Sequence, residues 1–142
     1  MSLVSPEAIA EVMALRPVPQ SLAELEARIY EGLPISALRA SVDSATSSGE
    51  ARRALLARII SKSTYSRRNK RLTRDESEKA ERLARVVATA SHMWGNLEDA
   101  RQFLATPHPL LDGRAPLEVG LTELRARRVE ELLWKLFYGL PA

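Results

Sequence analysis

The first candidates for acid–base chemistry are two histidines, His92 and His108, the only ones in a chain that has no cysteine. General acid–base or nucleophilic catalysis requires a titratable side chain within hydrogen-bond reach of a second, correctly oriented group. Neither histidine has a nearby carboxylate and nucleophile in such a pattern. The sequence predicts His92 on a long helix and His108 in a proline-bounded turn. We therefore predict structural roles for both and assign no catalytic residue.

Metal and cofactor chemistry is not predicted either. Without cysteine the chain cannot form disulfides, thiolate nucleophiles or the usual cysteine-containing zinc sites. It has no glycine-rich phosphate-binding loop. The N-terminus lacks a basic region followed by a long apolar run, and no stretch approaches the roughly 18 apolar residues of a membrane span. These patterns predict a cytoplasmic protein that does not associate with membranes.

Charge is distributed unevenly along the 142 residues, although the net charge is only +3. Residues 51–74 contain nine basic side chains and no acidic one, whereas the segments before and after carry net charges of −4 and −2. Such a block is either a solvated helical face or an anion-binding surface. Its confinement to one segment favours nucleic acid as the ligand.

Helical signals dominate the first half of the chain. Ser5-Pro6 is a typical N-cap and first helical residue, but Pro17 and Pro19 end that helix early, so residues 1–20 are predicted to be a flexible or loosely packed arm. Ser21 and Glu24 have capping-box spacing, and the helix they begin should end near Gly32. Further helices are predicted after Pro34, from Glu50 to about Arg58, and from Lys62 to about Lys70, with Ser61 as its N-cap.

The second half is predicted to be helical as well. Thr73 and Glu76 form a second capping box, and the helix that follows should run to Gly95 with one face buried. Shorter helices are predicted from Glu98 to Ala105 and after Pro116. On the last helix, from Thr122, an apolar stripe is predicted to be buried core: Val129, Leu132, Leu133, Leu136 and Phe137. No segment shows useful strand-like alternation, so the predicted fold class is all-α.

The basic segment has the plan of a helix-turn-helix, in which the second helix enters the major groove of DNA. The predicted base or phosphate contacts near the start of that helix are Lys62, Ser63, Thr64 and Arg67. Contacts to phosphates are predicted for Arg68, Lys70, Arg71 and Arg74. The alternative is a basic helix that has no nucleic acid function, in which Tyr65 is a core aromatic. Ile59 stands where many such motifs have glycine, and a β-branched residue resists a left-handed turn, which predicts an irregular turn.

The C-terminal half resembles the toxin-binding domain of Xre/MbcA/ParS-type antitoxins. The resemblance starts with Thr73-Arg-Asp-Glu-Ser77 and is most specific in Pro107-His-Pro-Leu-Leu-Asp-Gly-Arg-Ala-Pro-Leu-Glu118. Between them lie Arg82-Leu-Ala-Arg-Val86, Trp94-Gly95, Ala100 and Phe103-Leu104. Upstream, Gly32-Leu-Pro34 and Ala37-Leu38 resemble the start of the Xre-like helix-turn-helix region of the same family. The resemblance therefore spans residues 32–139.

This resemblance implies an antitoxin for a RES-domain toxin, which is related to ADP-ribosyltransferases and consumes NAD. The antitoxin would form a homodimer within the toxin–antitoxin complex, cover the NAD cleft of the toxin and bind operator DNA to repress its own operon. We predict a helix-turn-helix unit over residues 21–72 and a toxin-binding domain over residues 73–142. The alternative is a helix-turn-helix regulator without a toxin partner, and a small enzyme is less favoured.

The predicted toxin contacts lie in the turn within residues 107–118 and at the end of the last helix. Trp134 and Tyr138 are one turn apart beside the apolar stripe, and such aromatic residues are enriched in interface hot spots. They could instead cap the domain's own core. The full predicted set is Arg114, Trp134, Tyr138, Leu140, Pro141 and Ala142.

Overall fold

A computed structural model of the protein describes residues 4–67 and 71–139. Within these residues the regular elements are helical, which confirms the all-α prediction, and extended backbone pairs only at two isolated bridges. The first five helices are α1 (Pro6–Val12), α2 (Leu22–Glu31), α3 (Ile35–Ala45), α4 (Gly49–Ile59) and α5 (Lys62–Arg67). They are followed by α6 (Arg74–Trp94), α7 (Leu97–Ala105), a 3₁₀ turn (Pro109–Leu111), α8 (Pro116–Val119) and α9 (Glu123–Tyr138).

Helix α6 is the centre of the fold, because α1, α2, α3, α7 and α9 all pack against it. The predicted capping box is present at its start: the Thr73 hydroxyl accepts from the Glu76 N–H, and the Glu76 carboxylate accepts from the Thr73 N–H. Gly95 ends the helix in the left-handed conformation, with φ of 78°. One buried apolar stripe, which includes Leu83, Val86, Val87 and Ala90, faces the neighbouring helices.

The segment before α2 is part of the core, contrary to the loosely packed arm that the sequence predicts. Ile9, Ala10, Met13 and Leu15 are all buried, and α1 packs against α6 and α3. The prolines do end α1 early, as predicted. They do not release the segment, because its few apolar side chains are buried by helices that lie far away in the sequence.

The junction between α2 and α3 is fastened to the start of α6. Gly32 has φ of +100°, and a Cβ atom there would lie 2.6 Å from the Leu72 carbonyl oxygen. The next residue, Leu33, donates its N–H to the buried Ser77 hydroxyl at 2.9 Å, and its carbonyl accepts from the Leu72 N–H at 2.8 Å. Glycine at position 32 is therefore required both by its own backbone conformation and by the close approach of the Leu72 backbone.

None of the helices in the described residues is both long and apolar enough to cross a membrane.

Candidate functional site

The turn between α4 and α5 is built without a left-handed residue. Ile59 is the last residue of α4 and is buried, and Ile60 is extended, with φ of −144° and ψ of 140°. The Ser61 hydroxyl then caps α5 by accepting from the Thr64 N–H at 3.1 Å. The irregularity predicted at Ile59 is thus resolved, since an extended turn residue makes glycine unnecessary and leaves both isoleucines in the core.

The predicted DNA contacts on α5 differ in how free their polar groups are. Lys62, Ser63 and Arg67 are exposed, and Lys62 has no partner within the described residues. The half-buried Thr64 hydroxyl accepts hydrogen bonds from the Ser61 hydroxyl at 2.7 Å and, more weakly, from an Arg67 Nη atom at 3.4 Å. Lys62, Ser63 and Arg67 are therefore the exposed side chains of this set.

The basic residues next to α6 have partners inside the protein. Arg71 donates to the Gly32 carbonyl at 2.8 Å. Arg74 pairs with Glu78 at 3.4 Å, and its guanidinium lies 4.0 Å from the centroid of the Tyr30 ring. Both side chains remain exposed at the surface, but each already makes a hydrogen bond or an ion pair that stabilises the fold. The predicted contacts Arg68 and Lys70 lie outside the described residues.

Two further residues near α5 were not predicted as site residues. Arg39, on α3, donates through Nε to the Tyr65 hydroxyl at 2.9 Å, and its guanidinium is 5.9 Å from the Tyr65 ring centroid. The Tyr65 ring packs against the hydrophobic core. The residues are 26 positions apart, so no local spacing in the sequence indicates that they meet.

The turn at residues 108–114 in the C-terminal half is a compact loop with internal hydrogen bonds. The His108 imidazole Nδ1 accepts from the Leu110 N–H at 3.1 Å, and the His108 N–H donates to the Arg114 carbonyl at the same distance. Arg128 on α9 holds the outside of the loop by donating to Asp112 and to the Leu110 carbonyl. These bonds give His108 a structural role. They leave the exposed Arg114 guanidinium without a partner in the described residues.

Helix α9 is fixed to α6 by an ion cluster at the border of the core. Arg85 contacts Glu130 at 2.8 Å, Glu81 at 3.2 Å and Glu123 at 3.1 Å. Burial raises the pKa of Glu81 and of Glu130, and the charge of Arg85 does not fully offset it. Burial also acts on Glu123, but hydrogen bonds from Arg85 and the charges of Arg85 and Arg82 lower the pKa of that more exposed carboxyl. Arg85 is thus the cation that all three carboxylates share, and Arg82 adds a second contact to Glu123 at 3.4 Å.

The end of α9 presents an aromatic surface, which we call the α9 tip: Trp134, Leu136, Phe137 and Tyr138. The Trp134 and Tyr138 rings are 4.4 Å apart, and Phe137 contacts Tyr138 edge-on at 5.0 Å. The prediction that Leu136 and Phe137 belong to the buried core is wrong, because each is 46% exposed. Tyr138 is 54% exposed. The predicted contacts Leu140, Pro141 and Ala142 lie outside the described residues.

The buried stripe of α9 ends at Leu133, although the last turn of the helix still lies beside the end of α6. Val129, Leu132 and Leu133 are buried against the core, as predicted. Beyond them, Phe137 has only a tilted contact with the exposed His92 ring, at 5.9 Å between centroids. Clusters of exposed aromatic side chains of this kind are typical of protein-binding surfaces.

Two models of known protein families match the chain. The model of the antitoxin Xre-like helix-turn-helix domain matches residues 24–85. The model of the antitoxin Xre/MbcA/ParS C-terminal toxin-binding domain matches residues 89–139. No curated protein matches the chain.

The fold and these two matches define an antitoxin with a helix-turn-helix domain and a toxin-binding domain. The chain belongs to the Xre/MbcA/ParS antitoxins. Both matches include part of α6, so the first continues beyond the boundary that the sequence predicts at residues 72 and 73. Members of these families regulate or inhibit rather than catalyse.

Proposed function

We propose that this antitoxin neutralises a RES-type, NAD-consuming toxin by covering the entrance to its active site with the α9 tip and the residues that follow it. The observation that carries the proposal is the exposure of Phe137 and Tyr138 on a domain whose family binds toxins. Tryptophan and tyrosine supply large contact areas and dominate binding energies at interfaces. The chain acts by binding in this proposal and is not itself an enzyme.

The geometry after α9 supports occlusion by a tail. Gly139 ends the helix in the left-handed conformation, with φ of 66°, and donates its N–H to the Lys135 carbonyl. A left-handed glycine turns the chain away from the helix axis. In the proposal, Leu140, Pro141 and Ala142 then extend the apolar surface of the α9 tip into the NAD cleft, and the free Arg114 guanidinium supplies a polar contact.

Truncation after Phe137 tests this mechanism in cells that express the cognate toxin. The shortened chain keeps all the buried residues of α9, so we expect it to remain folded while losing protection against the toxin. Growth under toxin expression is the measurement, and circular dichroism checks the helix content. Full protection by the truncated chain, or protection by residues 1–72 alone, would show that occlusion is wrong.

A point substitution separates the α9 tip from general effects on α9. Tyr138→Ala should weaken protection. Leu124→Ala should not, although Leu124 is 76% exposed on the same helix. The two positions are 14 residues apart, or about 21 Å along a helix. Equal loss of protection in both variants would indicate that α9 as a whole, rather than its tip, is sensitive.

We also propose that α4 and α5 bind operator DNA and repress the operon of the antitoxin. Lys62, Ser63 and Arg67 are exposed on a short helix that follows the extended turn at Ile60. They belong to residues 51–74, a segment that contains nine basic side chains. Helices of this type present their first residues to base edges, and the surrounding cations contact phosphates. Arg68 and Lys70 are included in the proposal as phosphate contacts.

Salt dependence tests the DNA-binding role directly. Replacing Lys62, Arg67, Arg68 or Lys70 by glutamine should flatten the plot of log affinity against log salt concentration by roughly one unit for each lost phosphate contact. Arg114→Gln is the matched control, because it removes an exposed, unpaired cation from the other domain. Binding that ignores salt, or that survives all four replacements, would contradict the proposal.

Copurification with the product of the neighbouring gene distinguishes this function from that of a regulator without a toxin. We expect a stable complex with a RES-domain protein, and we expect NAD consumption by that protein to stop in the complex. A complex with a toxin of another class would leave the antitoxin role intact but refute the RES assignment. The isolated antitoxin should not consume NAD.

A further inference from the structure

Helix α5 is held in place by very little of the protein. None of its six residues is buried, and its local bonds are those of its own N-terminus, where Ser61 caps Thr64 and accepts from the Tyr65 N–H. A helix of this length is not stable in isolation, because the conformational entropy lost in forming the first turn exceeds the free energy gained from its few hydrogen bonds. Its orientation must therefore come from contacts with other elements.

Tyr65 provides the main contact of this kind. Its ring is half-buried and packs against the core, and its hydroxyl accepts from Arg39 Nε at 2.9 Å. Arg39 belongs to α3, which is anchored by buried residues on both sides of it, Leu38 and Val42 among them. This contact therefore ties the exposed helix α5 to a helix of the core.

We propose that Arg39 is a positioning residue for DNA recognition and that it acts through the Tyr65 hydroxyl to set the orientation of α5. The proposal rests on the proposed DNA binding. Base contacts by Lys62, Ser63 and Arg67 depend on the angle at which the helix enters the groove, whereas phosphate contacts tolerate changes in that angle. Loss of the Arg39–Tyr65 contact should therefore reduce discrimination between DNA sequences more than it reduces general affinity.

Two conservative variants test the contact, and a third serves as control. Tyr65→Phe keeps the ring and removes the acceptor. Arg39→Lys keeps the charge but lacks the Nε–H donor and the planar guanidinium. Tyr30→Phe is the matched control, because the Tyr30 hydroxyl makes no hydrogen bond in the described part of the chain and its ring under Arg74 is retained.

The probes are a duplex spanning the region upstream of the antitoxin gene and an unrelated duplex of the same length. We expect Tyr65→Phe and Arg39→Lys each to weaken binding to the upstream duplex roughly 5- to 10-fold, about the net value of one ordinary hydrogen bond, because the contact is exposed to solvent. Binding to the unrelated duplex, the salt dependence and toxin neutralisation should stay as in the wild type. The double variant should be no weaker than either single variant, since both remove the same interaction.

Other results overturn the inference in distinguishable ways. If the wild type prefers the upstream duplex and Tyr65→Phe keeps that preference, the positioning role is wrong while DNA binding stands. If Arg39→Gln flattens the salt dependence by one unit and Tyr65→Phe has no effect, Arg39 is itself a phosphate contact. If the wild type binds neither duplex, the proposed DNA binding fails, and the positioning role fails with it.

Discussion

Gly32 is the residue whose identity the backbone dictates most strongly. Its φ of +100° is costly for any residue with a side chain, and an added Cβ would lie 2.6 Å from the Leu72 carbonyl oxygen. We expect Gly32→Ala to lower the free energy of unfolding by about 2–3 kcal/mol, as is usual when strain and a backbone clash combine. Urea denaturation measures the change.

Gly49 is the natural control for that prediction. It is the first residue of α4, and a Cβ there would meet nothing closer than an Arg53 nitrogen at 3.4 Å. Alanine is a better helix former than glycine, so Gly49→Ala should be neutral or stabilise by up to about 1 kcal/mol. A similar loss in both variants would mean that the Gly32 conformation is not what makes the substitution costly.

At the scale of single residues, the sequence predicts which residues cap a helix better than it predicts which distant residues contact each other. Ser5, Ser21 and Thr73 each cap a helix as the sequence predicts, because a cap involves residues only three positions apart. Arg39 and Tyr65 could not be paired in advance, because their contact depends on how α3 and α5 pack. The same holds for the internal partners of Arg71 and Arg74, which the sequence assigned to phosphates alone.

At the scale of the helices, the packing of α9 against α6 depends on the ion cluster around Arg85. Arg85 forms ion pairs with Glu81, Glu123 and Glu130 at the border between α6 and α9, and its side chain is only 17% exposed. Replacing Arg85 by alanine leaves Glu81 and Glu130 without their cation, while Glu123 keeps only its 3.4 Å contact with Arg82. We expect a loss of about 3 kcal/mol at neutral pH, as is common when one member of a buried pair is removed.

The pH dependence of this loss has a definite sign. Burial already raises the pKa of Glu81 and Glu130 in the folded protein, and removal of Arg85 raises the pKa of each further. A carboxyl whose folded pKa lies above its unfolded pKa favours folding when it is protonated. The deficit of Arg85→Ala relative to wild type should therefore shrink as pH falls from 7 toward the ordinary carboxyl pKa.

The exposed pair between Arg52 and Asp43 is the control, because its 3.0 Å distance is similar but both side chains are about half exposed. Arg52→Ala should cost at most about 1 kcal/mol. Denaturant titrations of both variants at pH 7 and pH 5 provide the comparison. An Arg85→Ala deficit that is constant or grows on acidification would contradict the account of the cluster.

The extent of burial along a helix was the part of the fold that local pattern could not give. The apolar stripe of α9 continues through Leu136 and Phe137, but the buried part ends at Leu133. In α1 the reverse occurs, because a short helix bounded by prolines buries Ile9 and Met13 against α6. Periodicity indicates which face is apolar, and only the tertiary arrangement decides how much of that face is covered.

For the whole molecule, α6 is the element that both domains share. Helix α3 of the helix-turn-helix domain and helix α9 of the toxin-binding domain pack on it, and direct bonds also join the two domains. Arg101 on α7 donates to the carbonyls of Asp43 and Ser44 at the end of α3, and Arg58 on α4 donates to the Glu118 carbonyl. This packing leads us to expect a single cooperative unfolding transition.

A homodimer is expected at this scale from the family resemblance, because most soluble oligomers are symmetric assemblies of identical chains. Light scattering at micromolar concentration should give about twice the mass of one chain. Truncation after Phe137 should not change that mass if the α9 tip is reserved for the toxin. A strictly monomeric protein at high concentration would contradict the expectation.

Inhibition of the toxin by the α9 tip is the central claim, and titration of purified cognate toxin with the antitoxin tests it most directly. NAD consumption is followed as wild type, Tyr138→Ala or Leu124→Ala is added. We expect wild type and Leu124→Ala to inhibit equally, and Tyr138→Ala to require at least about tenfold more protein, as loss of an interface hot spot does. Equal inhibition by all three proteins would contradict the claim that the α9 tip covers the active site.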